Sequence, residues 1–248
     1  MFIRMVSMGV NADHSDVFAK AYEDNIIATL RHQPGCSFAS ILQNVQDRKD
    51  CISLTIWESQ NATDEYEKSG LFKELVESLR TFYEASDEFE LKLTDDLSIE
   101  YTPIQKDPTL KQFDDRDTEK EYIKKFNVTP YAVKIITLTV QHDKIQEFQD
   151  IFSSKVVPKF TEQKGFIHII LLRKNNEFNI ISFWDETVDL DVSPGGQNLN
   201  ALTRSIFNLL PSSVQWQVSH KASRSSFATT EEISASVYRC LTGEWFTK

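Results

Sequence analysis

The 248-residue chain is poor in cysteine and has no long apolar run. Its three cysteines, Cys36, Cys51 and Cys240, are too few and too scattered for a disulfide framework. None forms a CxxC pair, so a zinc ribbon is excluded, and Cys36 and Cys51 read as buried and inert. No stretch approaches the roughly 20 apolar residues of a membrane-spanning helix. The start, MFIRMVSMGVNADHSD, lacks the apolar core and cleavage site of a secretory leader, so a cytoplasmic protein without a membrane partner is expected. GxSxG, GxxxxGK[ST] and GxGxxG are all absent, which removes the nucleophile elbow, the P-loop and the dinucleotide fingerprint. No two histidines stand at metal-ligand spacing such as HxxxH, so no preformed metal site is expected. Basic residues are outnumbered, 27 Lys and Arg against 37 Asp and Glu, for a net charge of −10. A surface this acidic repels phosphate backbones and excludes nucleic acid as a general partner.

What is present is a duplication. Gln33-Pro34-Gly35-Cys36 leads through alternating residues to Ile52-Ser53-Leu54-Thr55-Ile56-Trp57-Glu58. Gln163-Lys164-Gly165-Phe166 leads in the same way to Ile180-Ile181-Ser182-Phe183-Trp184-Asp185. The interval from glycine to tryptophan is slightly shorter in the second copy, as a tighter hairpin requires. A repeat this long marks duplicated domains rather than a solenoid.

Both halves carry the same order of elements. In the first, 2–10 reads as a strand and 15–31 as a helix with Val17, Phe18, Tyr22, Ile26, Ile27 and Leu30 on one face. Pro34-Gly35 stops it, and 38–45 and 51–57 form a hairpin. Asn61 is the expected N-cap of a helix running to about residue 84, and 89–93 is expected to close the unit as a fourth strand. The second half places strands at 133–140, 166–173 and 178–184, helices at 145–160 and 199–210, and a closing strand at 214–219. The order is β-α-β-β-α-β, the ferredoxin-like arrangement. The expected domains are 1–97, a charged linker at 98–130 with a short helix at 118–126, a second domain at 131–222, and a tail at 223–248 with a short helix at 231–241. Residues 188–198, with Pro194-Gly195-Gly196, read as an irregular insertion, more simply a loop than an anion-binding turn.

The first copy combines Pro34-Gly35, Trp57-Glu58-Ser59 and Ser69-Gly70-Leu71-Phe72; the second has Lys164-Gly165 and Trp184-Asp185-Glu186 but lacks Ser-x-x-Phe. This set resembles the antibiotic biosynthesis monooxygenase family of the dimeric α/β-barrel superfamily. The resemblance implies an α+β fold of two tandem ferredoxin-like repeats packed sheet to sheet as an intramolecular α/β barrel. Ile3, Met5, Ile135 and Leu138 are expected near that junction. The chain would be a self-contained pseudo-dimer, with a homodimer of the whole chain left open. It also implies a pocket between sheet and helices for a small hydrophobic or aromatic molecule, and cofactor-independent oxygenation in which the substrate supplies the electrons. The pocket candidates are Trp57, Tyr66, Phe72, His168 and Trp184, with no residue assigned a catalytic role. A non-catalytic ligand-binding or scaffold protein is one alternative, and a haem-binding or haem-degrading protein with an unconventional ligand such as His168 or His32 is another.

Haem-degrading relatives use an Asn on the first strand, the strand-end Trp and a ligating His one turn beyond the phenylalanine. Here Val76 and Thr203 stand at the His position, and the first strands hold no Asn: Asn11 lies past the strand, with Ser7 and Thr137 nearby. Haem is therefore disfavoured, and no cofactor is expected. The simplest role of Trp57 and Trp184 is to fill the gap between sheet and helix. Glu58 and Asp185 then face away from it. His32 suits a helix C-terminus. His168 is expected to share a face with Phe166 and Ile170 and so reaches the pocket if that face does, as an acid, base or ligand.

Overall fold

The computed structural model describes residues 2–93, 99–105, 107–114, 131–185, 202, 204–221 and 233–246. The chain divides into two compact units, Phe2–Gln112 with Leu241–Lys248, and Phe113–Cys240. The fold is α+β, two tandem ferredoxin-like repeats.

In the first unit β1 (Phe2–Gly9) is followed by one helical run: α1 (Ser15–Ala21), a π-helical segment (Tyr22–Ile27) and α2 (Ala28–Leu30). Then come the hairpin β2 (Cys36–Asn44) and β3 (Asp50–Trp57), and the helices α3 (Gln60–Lys68) and α4 (Leu71–Ser78). β1 and β2 both pair antiparallel with β3. Alternation sends Phe2, Val6, Met8 and Val10 to the helix-covered side, where they meet Phe18, Tyr22 and Leu75. Val17, expected on that face, is exposed.

Ser59 rather than Asn61 caps α3, its hydroxyl accepting the Ala62 N–H at 3.2 Å, while the Asn61 amide reaches forward to Glu65. The expected single helix breaks at Gly70, whose φ of +84° is foreign to an α-helix and resets the chain before α4. The expected closing strand is corrected too. β4 (Ala85–Leu93) pairs with β5 (Ile99–Gln105) in a separate two-stranded sheet. The fourth place, beside β1, goes to β6 (Thr109–Asp114), inside the stretch expected as linker. The order is thus β6-β1-β3-β2. An open β1 edge would leave backbone groups unpaired, and β6 fills it while packing Leu110 on the core.

The second unit repeats the plan with β7 (Tyr131–Thr139), α5 (Ile145–Ile151), a π-helical segment (Phe152–Val156), α6 (Val157–Thr161), β8 (Phe166–Lys174) and β9 (Glu177–Asp185). β7 and β8 pair antiparallel with β9. Of the expected helix at 199–210, residues 202 and 204–206 are helical and run into a 3-10 turn, Phe207–Leu209. The expected strand at 214–219 is a helix, Ser212–Lys221, which buries Val214 and exposes Trp216. The fourth strand is β10 (Ile233–Trp245), where a short helix was expected; its residues Ile233–Arg239 pair antiparallel with β7. Ile233, Val237 and Leu241 recur every four residues, a spacing that fits a helical turn and a strand's alternation equally well. Leu138 joins Ile136 and Val140 in the core of this unit, and Ile3, Met5 and Ile135 are buried. The insertion at 188–198 and the linker helix at 118–126 lie outside the described residues.

Gly35 and Gly165 adopt φ of +77° and +76° in matching turns. A Cβ at Gly35 would come within 2.5 Å of the Ala62 Cβ, whereas one at Gly70 would meet nothing within 4 Å. Gly35→Ala is expected to cost about 2–3 kcal/mol and Gly70→Ala only about 1 kcal/mol, read from urea midpoints.

Candidate functional site

In the first unit a cavity opens between the inner face of β1 and β3 and the helices, with about 40 Å³ of free space. Tyr22, at the start of the π-helical segment, forms one wall; its hydroxyl lies 2.7 Å from Ser53 Oγ and donates to the Ser40 carbonyl at 3.2 Å. Trp57, Tyr66 and Phe72 form another wall. The Trp57 Nε1–H donates to Thr55 Oγ1 at 2.9 Å, which fixes the indole. Ring centroids of Trp57 and Tyr66 are 5.0 Å apart, and those of Tyr66 and Phe72 6.0 Å apart in an edge-on arrangement.

At the centre stands Arg4, on β1 and only 2% exposed. Its Nη2 lies 2.7 Å from Glu67 Oε1, and the same oxygen accepts a hydrogen bond from the Gln112 amide on β6 at 2.7 Å. The guanidinium carbon is 4.6 Å from the Phe72 centroid and 5.3 Å from that of Tyr66, so both rings make cation–π contacts. Burial presses the Arg4 pKa down, with Glu67 opposing. Sequence reasoning missed Arg4. Its signal was parity: it occupies an inward position between Phe2 and Val6, where a solvated side chain has no place.

Of the expected pocket residues, Trp57, Tyr66 and Phe72 come together here. Trp184 lies in the core of the second unit, T-shaped against Phe166 at 5.5 Å, its Nε1–H donating to Ser182 Oγ at 2.9 Å. His168 does not share the face of Phe166. A register shift between the two turns it to the other side of the sheet, opposite Phe183, where it is buried with ring centroids 6.2 Å apart. The two repeats nonetheless match in detail. Lys134 holds in β7, two residues beyond the partner of Trp184, the place that Arg4 holds in β1 two residues beyond the partner of Trp57. Ser182 answers to Thr55. Glu58 is exposed and His14, His32 and His142 are exposed.

The position of a haem-ligating histidine is taken by Val76, which lines the cavity and offers an iron no donor. The lining does not fit the haem constellation. Among the described residues no group of three or more His, Cys, Asp or Glu could hold a metal ion, and no helix is long and apolar enough to cross a membrane.

The sequence matches the family model of the antibiotic biosynthesis monooxygenases over residues 1–78 and 132–191, more than half of the chain and once in each repeat. The chain belongs to the antibiotic biosynthesis monooxygenase family. No curated protein matches it. Among solved structures, it is similar to a presumed monooxygenase from Lactobacillus acidophilus NCFM at 9% identity, with 98% of this chain and 95% of that one covered and a TM-score of 0.56. A presumed monooxygenase from Fusobacterium nucleatum gives 11% identity, 98% and 94% coverage and a TM-score of 0.58. An anthrone oxidase-like protein gives 9% identity, 100% and 94% coverage and a TM-score of 0.57. At these identities the likeness is one of fold.

Two pocket phenols are hard to ionise. Burial raises the pKa of Tyr66 and pushes that of Tyr83 up to about 12, and the Tyr83 hydroxyl donates to the Val76 carbonyl at 3.1 Å. Because the folded-state values lie above the ordinary 10.0, the stability these phenols contribute is complete below pH 10, and the share of Tyr83 is lost as pH rises through about 12. Ultraviolet titration is expected to show some of the seven tyrosines ionising only as the protein unfolds. The urea midpoint should fall over the same interval.

Proposed function

We propose that the first repeat binds a small, flat aromatic molecule between its sheet and helices and oxygenates it with O₂, without haem or another cofactor. The cavity walled by Trp57, Tyr66 and Phe72 is the observation that carries this reading, and membership of the family supports it. A benzylic C–H₂ between electron-rich rings would lose its hydrogens and electrons to O₂, one oxygen atom becoming the new carbonyl and the other leaving as water. The protein's part is to orient the ring by stacking and to keep bulk water out.

The cavity of about 40 Å³ is far below the ~150 Å³ that admits benzene in an engineered core. Entry therefore requires a side chain to move. Phe72 is the candidate: it is half-buried at the start of α4, just after the Gly70 break.

A second reading, binding or scaffolding without turnover, is favoured by the lining itself. Among the described residues it contains no carboxylate, imidazole or thiol, so the cavity wall itself offers none of these as a base to take a proton.

Titration with quinols and polyphenols, following tryptophan fluorescence and O₂ uptake, tests both readings. Uptake with product formation supports the oxygenase. Fluorescence change without uptake supports the binding protein, and neither signal with any compound removes the pocket reading. Added hemin should give no Soret shift. Phe72→Ala is expected to tighten binding of bulky aromatics several-fold by opening the cavity.

A further inference from the structure

We infer that the ligand of this pocket is an anion, an aromatic carboxylate one of whose oxygens is received by Nη1 of Arg4, and that Glu67 competes with it for the guanidinium. The inference rests on the aromatic-ligand reading above and adds the charge of the ligand to it.

Among the described residues that line the cavity, Arg4 alone carries a charge, and it is 2% exposed. Its Nη1 is buried with no hydrogen-bond partner among the described residues. A buried, unpaired N–H of a cation is among the most costly groups a fold can hold, and it is stabilised when an acceptor arrives. The neighbours of Arg4 leave room for only one kind of acceptor. The rings of Phe72 and Tyr66 lie against the guanidinium, and its N–H groups point outward in its own plane, so further bonds form at its edge. Nη2, which like Nη1 makes no aligned hydrogen bond, is held in an ion pair 2.7 Å from Glu67 Oε1, which leaves Nη1 with no charged neighbour. A carboxylate in the plane of the fork is the acceptor that guanidinium geometry matches best, and an aromatic ring attached to it would lie along the same rings that hold Arg4.

Glu67 is the built-in rival. It comes from α3 and is about one-third exposed, with its Oε1 shared between Arg4 and the Gln112 amide. A carboxylate so divided and so wet holds the guanidinium less firmly than a dry, bidentate partner would. With the chain at net −10, the long-range field opposes anions, so any preference for them must come from this one local charge.

The test uses the full chain and matched pairs of probes that differ only in charge, benzoate against benzamide and 2-naphthoate against 2-naphthamide, titrated by calorimetry and fluorescence. The expected result is carboxylate binding about tenfold or more tighter than amide. Glu67→Gln should strengthen carboxylate binding about threefold or more and leave amide binding unchanged. Arg4→Gln should erase the preference while amide binding persists.

Equal binding of both members of each pair overturns the inference and leaves the aromatic pocket standing. Binding of neither overturns both. A preference that survives Arg4→Gln overturns the assignment to Arg4. Should Arg4→Gln fail to fold, Glu67→Gln decides: carboxylate binding that is unchanged or weaker means that Arg4 and Glu67 merely fasten β1 to α3, and the inference fails.

Discussion

One hydrogen bond, made twice, holds the two sequence signatures of this fold together. The Glu58 N–H, just past the end of β3, donates to the Gly35 carbonyl at 2.8 Å, and the Asp185 N–H at the end of β9 donates to the Gly165 carbonyl at 2.8 Å. Each glycine is needed because its turn runs at positive φ, and at Gly35 no room is left for a Cβ. Each tryptophan precedes the donor by one residue and so is aimed at the helix-covered side. The Pro-Gly or Lys-Gly turn and the Trp-acid strand end are therefore two halves of one fastening. This explains why they travel as a pair although they lie far apart along the chain.

From that fastening the two repeats diverge in what they enclose. Both place an indole, a hydroxyl acceptor two residues before it and a cation on the first strand: Trp57, Thr55 and Arg4 in one, Trp184, Ser182 and Lys134 in the other. In the first repeat the cation is a flat guanidinium that lies against two rings, beside open space. In the second the ammonium of Lys134 is a compact point charge that cannot lie flat against a ring in the same way. The duplication thus preserved the support and changed the group it supports.

The duplication and the paired hairpins were legible in the sequence, because glycine turns and alternation are local signals, whereas Trp57, Tyr66 and Phe72 were singled out by the family resemblance and line one cavity. The fourth strands were not. β6 is short and charged and sits in what composition reads as linker, and the apolar residues of β10 fall every fourth position, where helix and strand predict the same pattern. His168 was misplaced because a register shift adds one residue between it and Phe166, reversing its face, and sequence parity carries no mark of a bulge. Arg4 escaped notice because an arginine in a strand is ordinarily read as solvent-facing. Only its place in the inward series with Phe2, Val6 and Met8 gives it away.

The edge strand has a consequence for affinity. Gln112 on β6 holds the same Glu67 oxygen that neutralises Arg4, so the docking of the outermost strand and the positive potential inside the cavity are thermodynamically linked. Each fluctuation that peels Gln112 away leaves the whole Glu67 oxygen to Arg4, and an anion that drew Arg4 away from Glu67 would leave that oxygen to Gln112 and the strand. Fraying at the rim and occupancy at the centre are then two readings of a single equilibrium.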